Sequence, residues 1–390
     1  MKTQLHIAYI VSHYPHKAFG QDGGLGTSVY NLVEQLRKLD ILVSVFVYGQ
    51  KSNFVIQEGN ATIYSIKDSD TRFFKFYFYR LKIAEFINDV AIKKNINIIE
   101  APDWTGITAF MKFQVPLVIR FHGSDTYFCH LEKRAQKLKN FWFEKMAINK
   151  AKAFIAPTTF AGEVSKKLFR IENKEIKTIH YGLELDSFTN DTPEVFEKGL
   201  ILYIGTIIRK KGVLELPEIF YKVRKKCPEA KLVLIGSDAS DIKTNSDSTW
   251  QLMQNQFNKE DLKNVEYLGK IQYAEVQNYI KNANVCVFPT YAETLGMVTI
   301  ESMAMQKAVV NSSIGWSQEL IVDGESGFLV HPSNHDLYAQ KIIDLLQNDS
   351  FCKQIGKQAR ERVETKFDIN KLVYENIEFY KKIINQNNKG

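Results

Sequence analysis

Short apolar runs alternate with helical apolar patterns along almost the whole chain. Strand-like runs stand at 6–12 (HIAYIVS), 42–49, 96–102, 116–123 and 153–158. A second series opens at 200–206 (LILYIGT) and continues at 230–236, 265–269, 283–290 and 307–313. Strands separated by helices predict parallel sheets covered on both faces, an α/β architecture of two doubly wound, Rossmann-like domains. Between the two series, 183–199 (LELDSFTNDTPEVFEKG) is polar and has no period. The expected organisation is a first domain over 1–185, a linker over 186–199, a second domain over 200–366 and a terminal stretch over 367–390. Apolar residues recur at helical spacing in that last stretch, so it predicts a helix, with return to the first domain left open. Two such domains in series are expected to face a cleft at the carboxyl ends of their strands, where doubly wound sheets bind ligands.

Composition narrows the class. A chain of 390 residues exceeds one ordinary core, and 45% hydrophobic with 24% charged residues is a globular balance. No run approaches the ~20 apolar residues of a membrane-spanning helix. The start, MKTQLHIAYIVSHYPH, lacks a small-residue cleavage site and reads as a first buried strand rather than a leader. Cys129, Cys227, Cys286 and Cys352 are scattered, without metal spacing or a disulfide framework, which fits a reducing cytoplasm. Residues 1–190 hold 26 Lys and Arg against 18 Asp and Glu, whereas 191–390 hold 25 against 26. The basic excess therefore sits in the N-terminal half, where it could serve a membrane surface, an anionic ligand or solubility. No recognised nucleic-acid module accompanies it, so no nucleic-acid partner is expected.

Two stretches of the second half carry candidate chemistry. In YIGTIIRKKGV (203–213) a strand leads into Arg209, Lys210 and Lys211, cations suited to a diphosphate, or else a basic surface loop. The glycines spell neither a dinucleotide fingerprint nor a Walker loop. In PTYAETLGMVTIESMAM (289–305) Thr294 is the expected N-cap of a helix running through Met305. Free amides at Leu295, Gly296 and Met297 would then face an anion, and Gly296 would let it come close. Glu293 and Glu301 would stand about 10–12 Å apart at helical rise. That exceeds the ~9.5 Å limit of paired glycosidase carboxylates. It suits a ligand with hydroxyls at both ends and a diphosphate between; the plainer alternative is one loop glutamate and one exposed helix glutamate.

The order GTIIRKKG, ETLGMVTIE and GWSQELIVDGESGFLVHP (315–332), preceded by DGGLGTSVYNL (22–32) and IRFHGSD (119–125), resembles the retaining glycosyltransferases of GT-B family 4. The resemblance spans nearly the whole chain and implies a GT-B fold with the acceptor side in the first domain. It implies Arg209 and Lys211 on the donor diphosphate, Glu301 on the ribose and Glu293 on the transferred sugar. Backbone near Ile271 would meet the base, and Gly23 and Gly24 would approach the phosphate and acceptor. His122 would orient the sugar. Many members carry arginine where this chain has Thr206, so Arg209 would supply that guanidinium from three residues later.

The implied reaction moves a hexose-type sugar from a nucleoside-diphosphate donor, UDP or GDP first, to a sugar, lipid-linked or other hydroxyl acceptor. It needs no cofactor and no metal, and bacterial polysaccharide or glycolipid synthesis is the expected setting. Three alternatives stay open. One is a metal-dependent single-domain transferase using DSD (68–70), another an epimerase or hydrolase of the same fold, the third a non-catalytic sugar-nucleotide-binding subunit. The aromatic and basic run RFFKFYFYRLKIAEF (72–86) and the helix EKRAQKLKNFWFEK (132–145) read first as core-packing elements. They could instead touch an anionic membrane carrying the acceptor. Trp104, after the strand at 96–102, is an acceptor-side or packing residue.

Overall fold

The computed structural model describes residues 4–19, 24–69 and 73–388, and the chain divides into two compact units. The first comprises 1–182 together with 369–390, the second 183–368. The stretch expected to be a linker belongs to the second unit. Leu183, Leu185 and Phe188 are buried there, although their spacing shows no period.

The first unit contains strands β1 (His6–Val11), β2 (Leu42–Gln50), β3 (Phe54–Glu58), β4 (Ala61–Lys67), β5 (Ile98–Pro102), β6 (Leu117–Arg120), β7 (Ala153–Ala156) and β8 (Ile176–Thr178). Its helices are α1 (Gly24–Lys38), α2 (Lys75–Lys94), α3 (Asp125–Glu132), α4 (Leu138–Lys150) and α5 (Thr159–Phe169). The sheet order is β3-β4-β2-β1-β5-β6-β7-β8, parallel except for the β3–β4 hairpin at its edge. β1, β5, β6 and β7 are buried along their whole length, as strands covered on both faces must be.

The second unit contains α6 (Leu216–Arg224), α7 (Thr249–Gln254), α8 (Lys259–Leu262), α9 (Tyr273–Asn282), α10 (Met297–Ala304), α11 (His335–Gln347) and α12 (Asp349–Lys366). They surround the all-parallel sheet of β9 (Leu200–Ile204), β10 (Lys231–Ile235), β11 (Val265–Tyr267), β12 (Val285–Phe288), β13 (Ala308–Ser312) and β14 (Phe328–Val330). Its order, β11-β10-β9-β12-β13-β14, is the Rossmann order 3-2-1-4-5-6. β3, β4, β8 and β14 lie outside the strand-like runs of the sequence; β8 and β14 have three residues each, too short to show a pattern.

The terminal helix α13 (Ile369–Asn387) packs on the first unit, where Leu372, Val373, Ile377, Tyr380 and Ile383 join the cluster around Tyr9, Val29 and Leu36. A buried polar network fixes it there. Arg120 on β6 donates to Glu100 on β5 through Nε and Nη2 at 2.8 and 2.9 Å. Its Nη2 also reaches Asn376 Oδ1 at 2.6 Å, while Tyr380 donates to Glu100 Oε2 at 2.6 Å. All four residues are buried. Among the described residues no helix is long and apolar enough to cross a membrane.

Candidate active site

In the second unit the winding of the sheet reverses between β9 and β12. Loops leaving two such neighbours diverge and open a crevice at their carboxyl ends. Here those loops are 205–212 and 289–296, and they are tied together. The amides of Tyr291 and Ala292 both donate to the Lys210 carbonyl, at 2.8 and 3.2 Å. Gly212, at φ 69°, lies so near that a Cβ would stand 1.7 Å from the Pro289 carbonyl oxygen. Only glycine fits that contact.

This tie brings Lys211 onto Glu293, with Lys211 Nζ pairing with Oε2 and the Thr294 amide donating to Oε1 at 3.0 Å. Burial pushes the Glu293 carboxyl up, but the Lys211 charge outweighs it and holds the group below its ordinary value. Glu293 is therefore a fixed carboxylate at neutral pH.

The helix after it starts later than the sequence predicts. Thr294 is buried and is not the N-cap; Gly296 is, at φ 96° and ψ 71°, and α10 runs from Met297 to Ala304. The Glu293 carboxylate takes the Thr294 amide, and the left-handed turn at Gly296 then redirects the chain into the helix. The amides of Leu295, Gly296, Met297 and Val298 have no protein acceptor among the described residues. The Trp316 ring lies under this turn, 3.3 Å from where a Cβ at position 296 would stand.

Glu301 on α10 is 9% exposed, which removes the reading of an exposed helix glutamate. It accepts a hydrogen bond from Tyr273 Oη at 2.8 Å, and burial pushes its carboxyl up to about 7 against the pull of that bond. Tyr273 opens α9 two residues after the half-buried Ile271, so the Ile271 stretch and Glu301 lie together. Tyr273 is a site candidate that the sequence did not single out, because the contact joins residues 28 apart.

Arg209 does not stand free. Its Nε and Nη2 donate to Asp241 Oδ1 and Oδ2 at 2.8 and 2.7 Å, and Asp241 is further held by the Thr244 amide and hydroxyl at 3.1 and 2.6 Å. Asp241 is 3% exposed whereas the Arg209 side chain is 37% exposed. The guanidinium thus presents its remaining edge, with Nη1, and much of its charge is already matched. Thr206 is exposed, and its carbonyl accepts from Tyr203 Oη at 3.1 Å.

In the first unit, His122 follows β6 beside the end of β5. Its amide donates to Asp103 Oδ1 at 2.8 Å. Its Nδ1 meets Tyr181 Oη at 2.7 Å, with the two rings stacked at 5.4 Å. Burial, then the nearby Arg120 charge, holds the imidazole down at about 3, so it is neutral. Tyr181 is a second neighbour the sequence did not single out. Gly24 begins α1, while Gly23 lies outside the described residues. Of the DSD triplet, Asp68 pairs with Lys75 at 2.6 Å and Asp70 lies outside the described residues. Trp104 is 57% exposed, which rules out a core-packing role for most of its ring.

Two Rossmann-like sheets, the second with its polar residues gathered at the carboxyl ends of β9 and β12, define the GT-B class of glycosyltransferases. Residues 187–362 match the family model for glycosyl transferases group 1, and residues 22–187 match that for Glycosyltransferase Family 4. The chain belongs to this family. It is 29% identical over 54% of its length to the capsular polysaccharide biosynthesis glycosyltransferase CapM of Staphylococcus aureus, and that match spans half of CapM. It is 22% identical to the alpha-maltose-1-phosphate synthase of Mycolicibacterium smegmatis, covering 97% of this chain and all of the relative. Among solved structures, a sucrose-phosphate synthase from Thermosynechococcus elongatus superposes with a TM-score of 0.79 at 21% identity, covering 98% of this chain and 100% of that one. Anabaena HepE in complex with UDP and glucose superposes at 0.71 with 15% identity, covering 97% and 100%.

Proposed function

We propose that the protein is a retaining transferase that moves a hexose-type sugar from a nucleoside-diphosphate donor, UDP or GDP first, to an acceptor hydroxyl. The observation that carries this reading is the Lys211–Glu293 pair set beside the unpaired amides at the start of α10, with the buried Glu301 on the same helix. Breaking the bond between sugar and diphosphate builds negative charge on the leaving phosphate. Stabilising that charge is the main electrostatic task. Lys211, the outer edge of Arg209 and the amides of Leu295, Gly296 and Met297 perform it, without a metal or cofactor. Glu301 accepts from the ribose hydroxyls, the backbone at Ile271 meets the base, and Glu293 accepts from the sugar. Gly23 and Gly24 allow close approach of the acceptor, and Thr206 lies beside the phosphates. His122, neutral and held by Tyr181, orients the sugar rather than removing a proton. The acceptor attacks from the face the diphosphate leaves, and a departing phosphate oxygen takes the acceptor proton. We place this reaction in the cytoplasm, in polysaccharide or glycolipid synthesis, with the basic N-terminal half near a membrane.

The test is calorimetric titration against UDP-, GDP-, ADP- and dTDP-sugars in the presence of a chelator, followed by Glu293→Ala and Glu301→Ala. One donor class is expected to bind without metal. Glu301→Ala should weaken the bare diphosphate about tenfold to hundredfold, the value of one or two lost hydrogen bonds to a charged group. Glu293→Ala should leave diphosphate binding intact while transfer collapses. Equal loss of diphosphate binding in both variants would remove the proposed division of roles. Donor turnover without any acceptor would point to an epimerase or hydrolase, and binding without turnover under all acceptors to a non-catalytic subunit.

A further inference from the structure

The entry to α2 and the first turns of α2 and α4 leave large apolar side chains in solvent. Phe73 is 82% exposed, Phe74 67%, Phe78 51%, Leu138 76% and Trp142 60%. Rings between them make these one surface. Phe76 of α2 lies 5.3 Å from Phe143 of α4, Tyr77 and Phe143 both meet Phe110, and Lys139 of α4 stands 4.5 Å over the Phe76 ring. Core packing accounts for α2 through Tyr79, Ile83, Ala84 and Ile87. It does not account for Phe73, Phe74 or Phe78. A cluster of exposed rings on two adjoining helices marks an interaction surface.

The charges say which kind. Residues 73–82 carry Lys75, Arg80 and Lys82 and no acid, and 133–146 carry Lys133, Arg134, Lys137, Lys139 and Lys145 with Glu144 alone. Glu144 is buried and accepts from Thr126 and the Asp125 amide. Asp68 and Glu132 at the margin are already paired with Lys75 and Arg134. Aromatic and leucine side chains rimmed by unopposed lysines fit the boundary between anionic headgroups and acyl chains, where rings enter and ammonium groups stay outside. A second copy of the chain would set one basic rim against another.

We propose that the surface formed by the starts of α2 and α4 docks the protein on an anionic lipid bilayer. Phe73, Phe74, Phe78, Leu138 and Trp142 enter the interface, and Lys82, Lys137 and Lys139 meet the headgroups. This deepens the membrane element of the proposed function but stands on its own measurement, because vesicle binding needs neither donor nor acceptor.

The experiment is co-sedimentation of the full chain with phosphatidylcholine vesicles, with and without phosphatidylglycerol, alongside tryptophan emission of the protein and of its Trp142→Phe variant. Binding is expected only with the anionic lipid, weakening as salt rises, with a blue shift that Trp142→Phe removes. Phe78→Asp and Leu138→Asp, both at exposed positions, should each lower the partition about tenfold or more while melting temperature and nucleotide binding stay unchanged. Equal partition of wild type and both variants, or no partition on anionic vesicles, overturns the proposal. Association of the chain with itself that Phe78→Asp abolishes, in the absence of vesicle binding, would assign the surface to a second copy instead. Wild-type protein that transfers sugar but does not bind anionic vesicles would reject the docking surface alone, and wild-type protein that binds vesicles but transfers no sugar would reject the transferase reading alone.

Discussion

Glu301 carries the most informative single titration. Its folded pKa of about 7 lies above the ordinary glutamate value, so the native state holds a proton that the unfolded chain has lost between roughly pH 4.5 and 7. Its contribution to stability is fully present below that window and fades as pH rises through it. Donor hydroxyls favour the carboxylate, so binding a nucleoside diphosphate at pH 6 should release a proton, and affinity should rise with pH and level off above about 7. Calorimetry in buffers of different ionisation enthalpy reads that release, and Glu301→Gln should abolish the part due to this residue. His122 gives the opposite expectation. Held down at about 3, it contributes no inflection to the transfer rate between pH 5 and 8. A His122-dependent break in that range would mean the ring takes up a proton during the reaction. Lys211 and Arg209 should also separate. Lys211→Ala is expected to cost more diphosphate affinity than Arg209→Ala, which instead leaves the buried Asp241 carboxylate without its guanidinium and lowers stability by about 1–3 kcal/mol. At this scale the residue types and their order were readable in the sequence, but their partners were not. Asp241 stands in a polar run with Asp238 and Asp247 that has no period to favour one of them. Tyr181 and Tyr273 meet their histidine and glutamate, His122 and Glu301, across 59 and 28 residues.

Among the elements, the strands were legible because burial on both faces makes β1, β9 and β12 near-continuous apolar runs. The start of α10 lies two residues later than the sequence predicts, with Gly296 rather than Thr294 as its N-cap. A threonine before an apolar run is the ordinary cap signal, but here the preceding glutamate captures that amide and a glycine with positive φ supplies the turn. The helix α13 shows what pattern alone leaves out. Its periodicity announces a helix, yet its partner is fixed by Asn376 and Tyr380 meeting the Arg120–Glu100 pair. Removing one partner of such a buried pair leaves an uncompensated charge. Glu100→Ala should therefore cost about 3–5 kcal/mol in denaturant unfolding, and Tyr380→Phe about 1 kcal/mol. A near-neutral Glu100→Ala would mean that water reaches Arg120 and that the network is not what holds the helix.

At the scale of the whole molecule, each unit has its own sheet and core, so unfolding need not be one transition. A bare nucleoside diphosphate should raise the stability of the unit at 183–368 by about 2.7 kcal/mol at a hundredfold excess over its Kd. A calorimetric scan in which both transitions rise together would show that the nucleotide is shared. The first unit is assembled from two separated stretches of chain, one before and one after the second unit. During synthesis, the ribosome must therefore make all of 183–368 before α13 exists to cover its place. At ~5–20 residues per second that interval is roughly 10–40 s. For that time Arg120 and Glu100 wait without Asn376 and Tyr380, and the apolar floor beneath the missing helix lies open. The nascent first unit is then a natural client for chaperones, while the second can close as soon as it emerges.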